Sequence, residues 1–536
     1  MNRKTILAST ICLFSFAMVL VLANGNGPQL NTGPELGNPG IVKSDANLII
    51  TSNTELAGAS SSGNGIPGDP YIINTLNIDG NQSISWCIDI ANTDAYFEII
   101  GCNLNNATDG GIRLANVTNG LIYLSNIYDH GHKGIEVRDG CLNVNITNNY
   151  LWNTGNQYSI YGLDSNETLI NQNVVWVNST PSQNSVFLDN VSHSAVEFNT
   201  LSNATSAIYV NDGQDNMIRN NTIQIPGSSK NGILLDYIYN CTISNNTIAN
   251  VTTSTHYPIR LIGVDNSTIS MNNISKSYNG IYVTSGSSWN NISGNMIWNT
   301  SYGVSAYQTS HNNSIRFNQI WDNDVGIYLN QAPDNKIYNN TLMEQNETNQ
   351  DAILLIYEGS HGNLVENNTI IDSYYGINLQ GAPNNTISNN NLTNGTWGIF
   401  LQYTLGHSWY NNITGNTITS FTARAINAVH NFTTITDNYI VDCASGIYET
   451  GTGNCTITDN VILNGSAYGI YSSGNSSNIT DNIIDFAFDY GIQVSGDYNN
   501  VLRNNISNIF DWAIYLLGGS SNNVTDNYIA NAQYGV

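Results

Sequence analysis

The chain has 536 residues and a formal net charge of −25, yet only 10% of its residues are charged, with 14 Lys and Arg in all. So few cations over such a length argue against a phosphate-tracking surface for nucleic acid and against adhesion to an anionic membrane. A length like this ordinarily implies three or four domains, but an internal repeat removes that expectation.

In chain order, Arg3 and Lys4 precede an apolar run over residues 6–22, and small and polar residues follow from Ala23. Residues 1–23 therefore read as a secretory signal, with an uncleaved N-terminal anchor as the alternative. Residues 24–44, broken at Gly27-Pro28, Gly33-Pro34 and Asn38-Pro39, read as a flexible linker. Residues 45–90 are expected to form a cap and first coil, because an open solenoid end exposes strand edges.

From residue 91 onward one pattern governs. An asparagine recurs at Asn149, Asn173, Asn199, Asn221, Asn246, Asn272, Asn295, Asn318, Asn340, Asn368, Asn390, Asn416, Asn438, Asn460, Asn482, Asn504 and Asn527, at intervals of 22 to 28 residues. Almost all sit in the frame apolar-x-x-Asn-x-apolar, as in Ile218-Arg219-Asn220-Asn221-Thr222-Ile223. A second marker, Gly or Ala followed by apolar-x-apolar, keeps the same period, as in Gly326-Ile327-Tyr328-Leu329. Alternating β-branched residues between Gly, Asn, Ser and Asp corners predict an all-β solenoid, a parallel β-helix in which stacked amides bond from coil to coil. Asn also suits a tight corner because it tolerates the left-handed conformation. With Cys102 and Ser125 in the same slot the count reaches about 19 coils, a stack roughly 90 Å long. The C-terminal end is expected to be uncapped, since Gly535-Val536 falls where another strand would begin.

Several groups stand out against this background. Cys87, Cys102, Cys141, Cys241, Cys443 and Cys455 do not share spacings that form a disulfide framework, so buried thiols are expected. Asp437, Asp459 and Asp481 precede ladder residues on consecutive coils; such a row either binds calcium or is a line of turn residues facing water. Asp129-His130-Gly131-His132 either aims two imidazoles to one side of a strand, as copper handling requires, or is a polar turn with two solvated histidines, the commoner outcome for such a segment. Insertions carrying Trp152, Trp176, Pro181, Pro226, His256, Tyr257, Glu344 and Glu347 emerge at one corner; residues 402–411 bring Tyr403, His407, Trp409 and Tyr410 to another. Trp152, Trp176, Tyr257, Tyr403, Trp409 and Tyr410 are the candidate sugar-stacking residues. About thirty Asn-x-Ser/Thr triplets add potential glycan acceptors, often at the residue before the ladder, as at Asn220, Asn245, Asn339 and Asn367.

The repeat frame, with the opening Gly63-Asn64-Gly65-Ile66-Pro67-Gly68-Asp69-Pro70-Tyr71-Ile72-Ile73, resembles the NosD-like, carbohydrate-binding and sugar-hydrolase β-helix repeat family, including its archaeal surface members. The resemblance covers about residues 45–536 and implies a right-handed, single-stranded, pectate-lyase-like solenoid. It says little about activity, because such repeats serve lyases, glycosidases, epimerases, copper-system accessory proteins and surface filaments. The Asn92-Thr93-Asp94 and Tyr161-Gly162-Leu163-Asp164 segments match only the opening residues of polygalacturonase and epimerase motifs. The expected function is therefore an exported, non-catalytic surface or adhesive module that binds polysaccharide. The alternatives are a lyase, hydrolase or epimerase on the inserted-loop face, with calcium as its conceivable cofactor, and a copper-handling accessory protein.

Overall fold

The structure, a computed structural model, describes residues 45–177, 183–224, 231–249, 257–345, 348–402, 405–429, 431–451, 453–487 and 489–536. The expected leader and linker lie outside the described residues. The rest is a stack of coils, each with three short strands, and every strand pairs in parallel with its equivalents one coil away. The first face holds twenty strands that precede the ladder residue, such as Thr242–Ser244 and Thr268–Ser270. The second face follows that residue, as in Thr222–Gln224 and Thr247–Ala249. The third carries the Gly-apolar-x-apolar marker, as in Asn231–Asp236 and Val325–Asn330. In six coils the second and third strands merge into one of twelve residues, for example Asn273–Thr284 and Thr369–Gln380, so those two faces belong to one 34-stranded sheet.

Register explains the core. Ile243, Ile269 and Ile292 stack on the first face and Ile233, Ile259 and Ile281 on the third, all fully buried. The marker glycine is needed for space: a Cβ on Gly326 would meet the Ala352 carbonyl oxygen and Leu342 Cδ2, each at 2.6 Å. At the N-terminal end the helix Asn53–Ala59, capped by Ser52, inserts Leu56 into the same core. Among the described residues no helix is long and apolar enough to cross a membrane.

The asparagines form an unbroken ladder. At each of the sixteen steps from Asn149 to Asn527, the backbone N–H and Nδ2–H of one asparagine donate to Oδ1 of the next, at 2.9–3.1 Å. The left-handed residue is not the ladder asparagine, as its corner position suggested, but the residue before it. Asn220, Asn245, Asn367, Asp437, Asp459 and Asp481 have φ of 54–58°, and so do Phe198, Met271 and Phe317. A left-handed Phe or Met costs about 1–2 kcal/mol, which the buried amide bonds beside it offset. A second polar ladder runs five residues earlier through Asn290, Asn313, Asn335, Asn363, Asn385 and Asn411.

The six described cysteines are buried, and none of them is in a disulfide. Burial pushes the Cys87, Cys241 and Cys455 thiols up to about 12 and those of Cys102 and Cys443 to about 11, so they behave as small apolar residues.

Candidate functional site

On the third face the outward residues depart from plain turn and hydroxyl chemistry. On its strands the residue between two buried apolar neighbours points outward, and in register this slot reads Asp89, Arg113, Glu136, Tyr161, Phe187 and Tyr209. Further along it carries Arg260 and Tyr282, then Tyr448 and Tyr471. The row three residues earlier holds Lys133 and Tyr158 near one end and Tyr468, Tyr490, Trp512 and Tyr534 near the other.

Coil spacing brings these rings into stacks. Centroids lie 4.6 Å apart for Phe187 and Tyr209, 4.3 Å for Tyr448 and Tyr471, and 5.0 Å for Tyr490 and Tyr515. Two arginines are interleaved: the Arg424 guanidinium lies 3.3 Å from the Tyr448 centroid, and that of Arg260 lies 4.9 Å from Tyr257. Rings stacked on one another cover each other's faces and leave edges and hydroxyls outward. The result is a ribbed surface, apolar between the ribs and hydrogen-bonding along them. Burial pushes the Tyr161, Tyr209 and Tyr328 hydroxyls up to about 12, which keeps them protonated donors.

Two hollows open beside this ribbon. One, of about 290 Å³, is lined by Trp86, Asp109, Arg113, His132, Lys133, Glu136, Arg138 and Gln157. Arg113 is held by Asp89 through Nε at 2.9 Å and Nη2 at 2.5 Å, and Lys133 donates to Glu136, which is 2% exposed. The other, of about 460 Å³, lies at the corner between the third and first faces, lined by Thr309, Gln331, Tyr357, Glu358, His361 and Leu405 among others. On the outer side of the same face Asp351 is only 5% exposed and accepts from Asn378 Nδ2 at 2.7 Å. Burial pushes its carboxyl up to about 7.

The structure separates the residues singled out from the sequence. Trp152 and Trp176 pair in register on the second face, with Trp152 stacked on Tyr128 at 4.1 Å. Tyr257 stands on the third face against Tyr282. Trp409 stacks on His407 and Tyr410 on Phe432 at the corner near the larger hollow. Tyr403, Pro181, Pro226, His256 and Glu347 lie outside the described residues. Asp437, Asp459 and Asp481 line the left-handed corner; Asp481 is held by Arg503 at 2.6 and 2.8 Å, which keeps its carboxyl below the usual range. Among the described residues no group of three His, Cys, Asp or Glu is placed to hold a metal ion.

Neither reading of the Asp129–His132 segment holds for His130, which is neither beside His132 on one side nor solvated. Backbone turns away from a regular strand there, so His130 goes inward, 4% exposed, with Nδ1 accepting from Ala107 N–H, and burial drives its imidazole down to about 4. His132 goes outward to Asn156. Outward placement of Asn245, Asn339 and Asn367 at the corner accords with the accessibility a glycan acceptor needs. Missed in the sequence was the Asp89, Arg113 and Glu136 set, although each occupies the same slot of its own Ile-x-apolar strand, one coil apart.

Comparison with known proteins gives two family matches. The family described as right handed beta helix region matches residues 86–235, 351–506 and 427–536. The family described as periplasmic copper-binding protein (NosD) matches residues 180–353, a stretch that excludes His130 and His132. No curated protein matches the sequence. Among solved structures, a tailspike protein of E. coli bacteriophage HK620 in complex with a pentasaccharide is 12% identical with a TM-score of 0.38, covering 89% of this chain and 80% of its own. An alginate lyase from Paenibacillus sp. str. FPU-7 is 17% identical with a TM-score of 0.32, covering 42% and 94%. DFA-IIIase from Arthrobacter chlorophenolicus A6 without its lid is 11% identical with a TM-score of 0.36, covering 62% and 87%.

Proposed function

The chain belongs to the right-handed parallel β-helix family, and we propose that it is an exported cell-surface member that binds an extended polysaccharide along the third face without cutting it. The observation that carries this reading is the ribbon of stacked rings with Arg260 and Arg424 set among them. A rigid sheet holds these groups in place before any ligand arrives, so little ordering entropy opposes binding. Ring edges and tyrosine hydroxyls suit the alternating C–H and O–H surface of a neutral sugar chain.

The test is a polysaccharide array with the secreted protein, followed by product analysis. Retained binding with no new chain ends is the expected result. Tyr471→Ala and Tyr490→Ala should each weaken it by roughly threefold to tenfold, the worth of one aromatic contact. Failure of every polysaccharide to bind would sink the reading.

A second reading has its own observation, the presence of Glu358 and His361 in one corner hollow. An acid and an imidazole there suit a lyase, hydrolase or epimerase, with calcium as a conceivable cofactor. New reducing or unsaturated ends in the same assay, lost in Glu358→Gln, would favour it over the first.

A further inference from the structure

We propose that the smaller hollow seats a terminal, uncharged sugar unit of the bound chain, gripping adjacent hydroxyls between Arg113, Lys133 and Glu136. The proposal rests on the polysaccharide reading and adds to it a chain-end site and a ligand charge.

Charge is the first argument. Three of the chain's 14 Lys and Arg line this one hollow. Yet Arg113, Lys133 and Arg138 are paired with Asp89, Glu136 and Asp139, and Asp109 adds a fourth carboxylate. A cluster without surplus positive charge holds no field to attract an anion. It offers instead a close alternation of donors and acceptors, which is what neighbouring hydroxyl groups require.

Commitment of the groups is the second. Asp89 takes Nε and Nη2 of Arg113, and Arg113 keeps further N–H donors while its side chain is 36% exposed. Lys133 gives one hydrogen to Glu136 and rests 4.9 Å from the Tyr161 centroid, with two hydrogens left to give. Glu136 is nearly enclosed, so its carboxylate is fixed before a ligand binds. Trp86 backs Arg113 at 5.7 Å and supplies an apolar wall.

Position is the third. In the outward slot Glu136 is followed at once by Tyr161 and then Phe187, so the hollow opens directly onto the start of the aromatic ribbon. Along the ribbon the surface is ridged; here it is concave, with about 290 Å³ for a ring that ends the chain.

Saturation-transfer NMR resolves contacts ring by ring, using neutral xylo-, cello- and malto-hexaose and the polymer found on the array, each also with a uronic acid as its terminal unit. The expected result is strongest transfer to one terminal ring and at least tenfold weaker binding of the uronate-ended chains. Asp109→Asn should lose the terminal-ring signal while melting as the wild type does and still binding the long polymer, and Glu136→Gln should lose the same signal. Equal transfer to terminal and internal rings, with both variants unchanged, would overturn the chain-end site and leave the polysaccharide reading standing. Absence of any binding by the wild type would overturn both.

Discussion

Asp351 shows what a single outward slot can do when its neighbours are aromatic. Tyr302 and Tyr375 lie near it and Asn378 holds one of its oxygens, so the carboxyl is almost free of water. Burial raises its folded pKa to about 7 from an unfolded value near 3.8. Stability linked to this group is therefore fully present below about pH 4 and is lost as pH rises through 7. Glu449, enclosed in the core with Ser472 and the Gly474 N–H as donors, shifts in the same direction for the same first cause. Asp351→Asn keeps the bond to Asn378 and cannot ionise. Denaturant titrations should find it equal to wild type at pH 3.5 and more stable at pH 8, by on the order of 4 kcal/mol; parallel curves at the two pH values would refute the assignment.

At the scale of elements, the ladder was plain in the sequence because one slot admits one residue type. Asn318 is enclosed by Asn295, which gives it two hydrogens, and by Ile292 and Asn340, to which it donates. No other side chain supplies that set at that length. Asn318→Ala should cost about 3 kcal/mol or more, since it strands two donors and a carbonyl at once. Asn527→Ala, in a partly exposed rung, should cost under about 1 kcal/mol. Amide hydrogen exchange at the neighbouring coils measures both. Less legible was the second ladder, since Thr168, Ser194, Cys241, Ser267 and Thr433 interrupt its asparagines and share only small size and a partly polar side chain. The outward rows were harder still. Core slots carry mostly apolar residues and advertise themselves by monotony, whereas Asp89, Arg113 and Glu136 differ from each other and make sense only once register places them side by side.

For the whole molecule, each coil touches its two neighbours, so stability is close to a sum over coils and their interfaces. Residues 439–460 make up one complete period of 22 residues. Their deletion should bring Asn438 into bonding with Asn482 and leave a shorter, cooperative solenoid by circular dichroism and thermal melting. Removing one residue fewer slips the strands by one and turns buried isoleucines outward; that variant should not fold. Equal behaviour of the two deletions would contradict the register described above.

One property of the ladder reaches beyond cohesion. At every rung Oδ1 faces the preceding coil while the backbone N–H and one Nδ2–H face the next, so the ladder bonds all run the same way. Such dipoles add, as peptide dipoles do along an α-helix, and the interior acquires an electrical direction that the alternating carbonyls of the sheets do not supply. Two such stacks lying side by side are thereby biased to run head to tail, which gives any lateral array of this protein at a surface a preferred, antiparallel order.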